Sequence, residues 1–172
     1  MKKIETERKY VIQKPDMTLI SMEQGFAESK ITQIYLSDRE ITHRIRRREY
    51  PGGRVEYTEN TKRRISVMSV VEEESEISRE EFERLSAMID PKTQPVEKTR
   101  VTLSYSGRVL EIDIYPAWDN TCILEVEIDR EDEEISLPSF IRLIKDVTGM
   151  REYSNHSMAY NFPPELSVEG SV

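Results

Sequence analysis

The chain has 172 residues and a mass of 20.2 kDa, with 33 acidic against 25 basic side chains and a net charge of −8. That balance argues against nonspecific binding to nucleic acid or to an anionic membrane. One cysteine, Cys122, excludes an internal disulfide or a cysteine-rich zinc site, and two histidines, His43 and His156, leave oxygen ligands to hold any metal.

Charged residues make up 34% of the chain, above the roughly 25% of an average soluble protein, so their placement is the main question. No apolar run has the length of a membrane span. Met1-Lys2-Lys3 is followed by Glu5, Glu7, Arg8 and Lys9 where a signal peptide would be apolar. The default compartment is therefore the cytoplasm. Length and continuity suit one domain over residues 1–162, with a flexible tail over 163–172.

The dominant period is two, which predicts strands. Ile4 to Ile12 alternates first. Asp16 to Gln24 can hold a short helix. Lys30 to Leu36, Glu40 to Glu49 and Arg54 to Arg64 read as extended, with a tight turn at Asp38-Arg39 and a hairpin at Pro51-Gly52-Gly53. Ile65 to Ile77 is β-branched and acidic. Ser78-Arg79-Glu80-Glu81 is a capping box that opens a helix with Phe82, Leu85 and Ile89 on its apolar face. Further strands are expected over Val96 to Tyr105, Val109 to Tyr115 and Cys122 to Asp129, with Ser106-Gly107 turning one hairpin. A second helix is predicted from Pro138, with Phe140, Leu143, Ile144 and Val147 buried and Gly149 at its C-cap. That makes about eight strands.

The charges are sorted by strand. Glu5 and Glu7 are acidic; Arg44, Arg46 and Arg48 are basic. Lys62 and Arg64 are basic beside Asn60. Glu72, Glu74 and Glu76 are acidic; Lys98 and Arg100 are basic. Glu111 and Asp113, then Glu125, Glu127 and Asp129, are acidic again. Residues at i and i+2 share one face of a strand, about 6.5–7 Å apart. A solvated sheet face explains one such strand, but solvent requires no sorting of sign over seven. Leu110, Ile112 and Ile114 oppose Glu111 and Asp113, and Leu124, Val126 and Ile128 oppose Glu125 and Glu127. Each strand can thus turn an apolar face to packing helices and a charged face to a lumen. Divalent cations neutralise clustered acids, and a polyanion neutralises clustered bases. A metal-bound polyphosphate bridges both, because Mg²⁺ and Mn²⁺ favour oxygen ligands and Arg and Lys bind phosphate.

Glu5-Thr6-Glu7-Arg8-Lys9 resembles the E-x-E-x-K signature of the CYTH superfamily, the triphosphate tunnel metalloenzymes. Further matches follow in order: Gln33-Ile34-Tyr35-Leu36-Ser37, Arg44-Ile45-Arg46, Lys62, Glu72 and Glu74, and Lys98-Thr99-Arg100. Glu111-Ile112-Asp113, Glu125-Val126-Glu127, Thr148-Gly149 and Tyr153-Ser154-Asn155 complete the set. Asn60 stands where the family usually has Thr, Arg47 and Arg48 make the basic strand unusually rich, and neither histidine maps to a family role. The resemblance covers about residues 4 to 162. It is strongest with short, stand-alone inorganic triphosphatases.

The resemblance implies an α+β, mainly β fold: a closed eight-stranded antiparallel barrel, or tunnel, with helices packed outside. It also implies a small-molecule triphosphate substrate and Mg²⁺ or Mn²⁺, with neither nucleic acid nor membrane as partner. Glu5, Glu7, Glu125 and Glu127 would hold the principal metal. Glu111, Asp113, Glu72 and Glu74 would hold a second ion or orient its waters. Lys9, Arg44, Arg46, Lys62, Lys98 and Arg100 would clamp the phosphates. Lys9 or Tyr35 is a candidate base if nearby cations depress its pKa, and metal-bound hydroxide is the alternative. Arg48, Arg64, Glu76 and Asp129 fall at the rim or in solvent. Hydrolysis of inorganic triphosphate is the first reading. Thiamine triphosphate or nucleoside triphosphate hydrolysis, adenylate cyclisation and non-catalytic polyphosphate sensing stay open.

Overall fold

The computed structural model describes residues 1–37 and 41–168. The turn expected at Asp38-Arg39, and Glu40 at the expected start of a strand, lie outside the described residues. The described strands are β1 (Lys2–Gln13), β2 (Ala27–Leu36), β3 (Thr42–Glu49), β4 (Val55–Arg64), β5 (Ser69–Glu76), β6 (Val96–Tyr105), β7 (Arg108–Ile114), β8 (Thr121–Glu127) and β9 (Leu143–Asp146). The helices are α1 (Met17–Ile20), α2 (Arg79–Ser86) and α3 (Asn155–Tyr160), with a 3-10 turn at Arg151–Tyr153. None is long and apolar enough to cross a membrane.

Strands β1 to β8 form a closed antiparallel barrel in the order β5-β4-β3-β2-β6-β7-β8-β1, and β1 returns to β5. Closure satisfies backbone groups that an edge strand would leave unpaired. The strands form because alternate residues have a use on each face. Leu110, Ile112, Leu124 and Val126 pack outward with Ile12, Val101 and Leu103, beneath Ile20 of α1 and Ile141. Burying each such side chain stabilises the fold by roughly 1.5–3 kcal/mol. Ile34, Leu36 and Ile45 form a second outward cluster under Phe82 and Leu85 of α2. Ser78 caps α2 as its sequence predicts, accepting from the Glu81 N–H at 3.0 Å.

The helix predicted from Pro138 is not formed. Leu143–Asp146 is instead strand β9, antiparallel to β1 at Tyr10, Val11 and Ile12. β5 covers one edge of β1 only from Lys2 to Thr6, so the later residues of that edge need another partner. That demand outweighs the helical spacing of Phe140, Leu143, Ile144 and Val147. Phe140 and Leu143 remain exposed, while Val147 is buried. Thr148 and the backbone of Val147 finish the seam: the Lys9 N–H donates to Thr148 Oγ1 at 3.0 Å, and the Val147 N–H to the Lys9 carbonyl at 2.9 Å.

On the lumen parity the faces turn apolar past Lys9, Glu125 and Lys98. Val11, Ile123, Val96 and Tyr115 pack with Trp118, Tyr153 and Met158. The segment from Pro163 was expected to be a free tail, yet its first residues are docked here. Trp118 Nε1 donates to the Pro163 carbonyl at 3.1 Å, and Glu165 accepts from the backbone N–H groups of Asp119, Asn120 and Thr121.

Candidate functional site: a charged lumen

The barrel encloses a cavity of about 740 Å³. Of the sequence-predicted site residues, Glu5, Glu7, Lys9, Tyr35, Arg44, Arg46, Lys62, Glu72, Glu74, Lys98, Arg100, Glu111, Glu125 and Glu127 all border it. Asp113 does not: it lies wholly buried in the wall behind Lys98 and Arg100. Arg48 and Arg64 reach the same cavity, whereas Glu76 and Asp129 do not border it. Strand register produces the arrangement. Glu7 faces Glu127 and Lys9 faces Glu125 across β1 and β8, and Lys62 faces Glu72 across β4 and β5.

Acids and bases are paired within the lumen. Lys62 Nζ donates to Glu5 at 2.8 Å and lies 3.9 Å from Glu72. Lys9 Nζ lies 3.0 Å from Glu125 and 3.5 Å from Glu7. Arg100 contacts Glu111 at 2.6 Å and Glu125 at 3.1 Å. Arg44 lies 3.6 Å from Glu72, and Arg46 lies 3.9 Å from Glu74. Among the described residues, no group of three or more His, Cys, Asp or Glu side chains is gathered at ligand geometry.

Several lumen groups are shifted toward their neutral forms, Glu7 of β1 and Arg46 of β3 among them. Burial and the neighbouring Glu125 charge push the Glu7 carboxyl up to about 7, against Lys9 and Lys62. Burial, with Arg44 and Arg100 beside it, lowers the Arg46 guanidinium to about 10, against Glu74 at 3.9 Å. Arg46 Nε and Nη2 both donate to Gln33 Oε1, a neutral partner, at 3.2 and 3.0 Å. By contrast, burial raises Glu5 less than Lys62 lowers it, and its carboxyl falls to about 2. Burial also opposes the charge on Glu125, but Lys9, Arg100 and Lys98 hold it well below the usual range. Lys98 is lowered to about 8 by burial and Arg100, against Asp113.

Lys9 does not meet the condition for a base. Burial disfavours its charge, but Glu125 and Glu7 outweigh burial and raise its pKa, so it enters as an ammonium. Tyr35 is buried, with its hydroxyl 3.4 Å from the Gln33 Nε2 donor and its side chain against Arg44.

The charge pattern did not single out several residues that shape the lumen. Lys3 borders it and lies 3.8 Å from Glu127; its parity with Glu5 was the available signal. Gln33 and Ser29, which accept from Arg46 and Arg48, carry no charge to mark them. Arg151 and residues 154–157 line the cavity from the C-terminal segment. The motif Tyr153-Ser154-Asn155 marks part of this segment, but its place on the cavity depends on tertiary contacts.

The carboxylates are not gathered at ligand geometry, but their oxygens are the donor type that a hard divalent cation takes. Glu7 is lumen-facing and under-neutralised, and Glu125 and Glu127 lie across from Lys9 and Glu7 on β8. A hard cation among these oxygens would supply the counter-charge that Glu7 lacks.

A closed antiparallel barrel with acids and bases sorted around its lumen is the class of protein that the resemblance to the triphosphate tunnel metalloenzymes implies, and the structure has that form. No protein-family model matches the chain, and no curated protein matches it. Two solved structures of one protein, NE1496, are similar at 25% identity and a TM-score of 0.59. One, described as a hypothetical protein, aligns over 92% of this chain and 99% of that chain. The other, described as the inorganic triphosphatase NE1496, aligns over 93% and 97%.

Proposed function

We propose that the protein hydrolyses a small triphosphate, inorganic triphosphate first, to diphosphate and phosphate in the cytoplasm, with Mg²⁺ or Mn²⁺ as cofactor. One observation carries this reading: Glu7 and Arg46, each short of counter-charge, face the same 740 Å³ cavity. A cation supplies what the first lacks and a polyanion what the second lacks. The 25% identity with the inorganic triphosphatase NE1496, over nearly all of both chains, supports the same reading. A small anion is its partner, not nucleic acid or a membrane.

Arg44, Arg46, Lys62, Lys98 and Arg100 bind the phosphates, with Lys9 as a further ammonium. The guanidinium groups present paired donors and the lysines point charges. Glu5, Glu7, Glu125 and Glu127 would hold the principal cation, and Glu111, Glu72 and Glu74 a second ion or its waters. Bound there, the cation supplies positive charge at phosphate oxygens and orients water. Tyr35 stands where its hydroxyl can orient a phosphate oxygen or the attacking water. Positioning and charge stabilisation account for most of the rate in phosphoryl transfer. An organic group on the substrate would need an aromatic platform. The candidates for one, Trp118, Tyr115 and Tyr10, are all buried in core clusters and border no part of the cavity. The aromatic rings that do border it are Tyr35 and His156, so the choice among bare triphosphate, thiamine triphosphate and ATP rests on the assay.

The test is phosphate release from inorganic triphosphate, thiamine triphosphate and ATP, each with Mg²⁺, Mn²⁺ or EDTA, with cyclic AMP assayed among the products. The expected result is rapid release from inorganic triphosphate that EDTA abolishes. Tight metal-dependent binding without turnover would overturn hydrolysis in favour of a sensor.

A further inference from the structure

Asp113 shares the lumen parity of β7 with Glu111, two residues away, but the structure gives it a different place. Its side chain is fully buried, and both of its oxygens are engaged. Oδ2 accepts from Lys98 Nζ at 2.5 Å and from Arg100 Nη2 at 2.8 Å; Oδ1 accepts from Arg100 Nε at 2.7 Å. The carboxylate therefore grips the Nε–Nη2 edge of the guanidinium side-on. That leaves Nη1 directed to Glu111, which borders the cavity. Lys98 keeps two further N–H donors, and both bases themselves border the cavity. A cation bound to Asp113 would have to displace two buried charge-assisted hydrogen-bond partners, whereas Glu7, Glu125 and Glu127 already face the lumen.

We propose that Asp113 is a positioning residue, which fixes Lys98 and Arg100 as a preformed anion-binding wall and holds no metal. The inference rests on the triphosphatase reading and departs from the ligand role that its strand face suggests. Without the carboxylate, two adjacent buried cations lose their shared counter-charge, and the guanidinium loses the contact that sets its rotation.

The test separates anion binding from metal binding. Binding of inorganic triphosphate is measured by calorimetry in EDTA for the wild type and for Asp113→Asn. The Mg²⁺ concentration that half-activates phosphate release is measured for both. A positioning role predicts that metal-free affinity falls roughly tenfold or more and KM rises, while half-activating Mg²⁺ moves by less than about twofold. Unchanged metal-free affinity with a large rise in half-activating Mg²⁺ would overturn the proposal and make Asp113 a ligand. A wild type that turns over triphosphate but binds none in EDTA would also overturn it. A wild type that neither binds nor hydrolyses triphosphate under any condition overturns the triphosphatase reading, and this inference with it. If Asp113→Asn does not fold, Arg100→Lys keeps the charge but loses the two-edged grip. It is expected to show the same split, and intact metal-free binding in that variant would refute the proposal.

Discussion

Glu7 and Arg46 are two residues whose charged forms the lumen disfavours. Glu7 titrates near 7 in the fold, above the ordinary carboxyl value of about 4.3. Between those values the unfolded chain gives up the proton while the folded chain keeps it. This group therefore lowers stability progressively as pH rises from about 4 to about 7, and the loss stays complete above that. Glu7→Gln, without divalent cations, should raise the midpoint of thermal unfolding by roughly 5–10 °C at pH 8 and leave it unchanged at pH 4. No difference between the two pH values would refute the assignment. Arg46 makes the matching case on the basic wall. Arg46→Ala should cut kcat/KM for inorganic triphosphate by roughly 10²–10³-fold, yet it relieves repulsion with Arg44 and Arg100. The expected thermal midpoint is therefore no lower than that of the wild type. A large loss of stability alongside the loss of activity would show that Arg46 is structural. Spacing of i and i+2 was enough to find both residues. Depth was not legible: the same spacing puts Asp113 on the face of Glu111, and only the fold shows one behind the wall and the other along it. Gln33 leaves no mark in a charge pattern because it is neutral, and only the motif Gln33-Ile34-Tyr35-Leu36-Ser37 pointed to it.

The strands were legible because each alternates between two demands, an apolar outside and a charged inside. The segment after β8 was not, because its form depends on gaps elsewhere. The seam beside Lys9 is one such gap. Gly149 holds φ at +73°, and a Cβ there would strike Val67 Cγ1 and come within 3.1 Å of the Val67 carbonyl. Gly149→Ala should destabilise the protein by about 1–3 kcal/mol, read from denaturant unfolding. The segment 163–166 offers an optical test, since Trp118 is the only tryptophan. Glu165 accepts hydrogen bonds from Asp119, Asn120 and Thr121. Burial raises its pKa, and these donors outweigh burial and lower it. The contact therefore stabilises docking above the ordinary carboxyl pKa and is lost as pH falls through the lowered one. Trp118 emission should shift toward that of exposed indole in acid, below about pH 4, before global unfolding. Glu165→Gln should bring the shift to neutral pH. Emission that changes only with global unfolding would count against the anchor.

At the scale of the molecule, a net charge of −8 surrounds a lumen in which basic side chains outnumber carboxylates. Lumen acids and bases neutralise one another until ligands arrive. On the proposed reading, Glu125 or Glu5 engaged by a cation would leave Lys9 or Lys62 free for phosphate, and bases engaged by a polyanion would leave the acids free. The two ligands should therefore bind cooperatively and by the same factor in either order. Calorimetry with a divalent cation and triphosphate, each titrated alone and then in the presence of the other, would show it; independent binding would refute the exchange. Strand β1 has a bearing on how this lumen comes into being. It is made before all of its partners, since β5, β8 and β9 begin at Ser69, Thr121 and Leu143. At ribosomal rates of about 5–20 residues per second, roughly ten seconds pass before Thr148 can seal Lys9 into the wall. Through that interval β1 lacks part of its pairing, and the chamber closes only once Thr148 has been made.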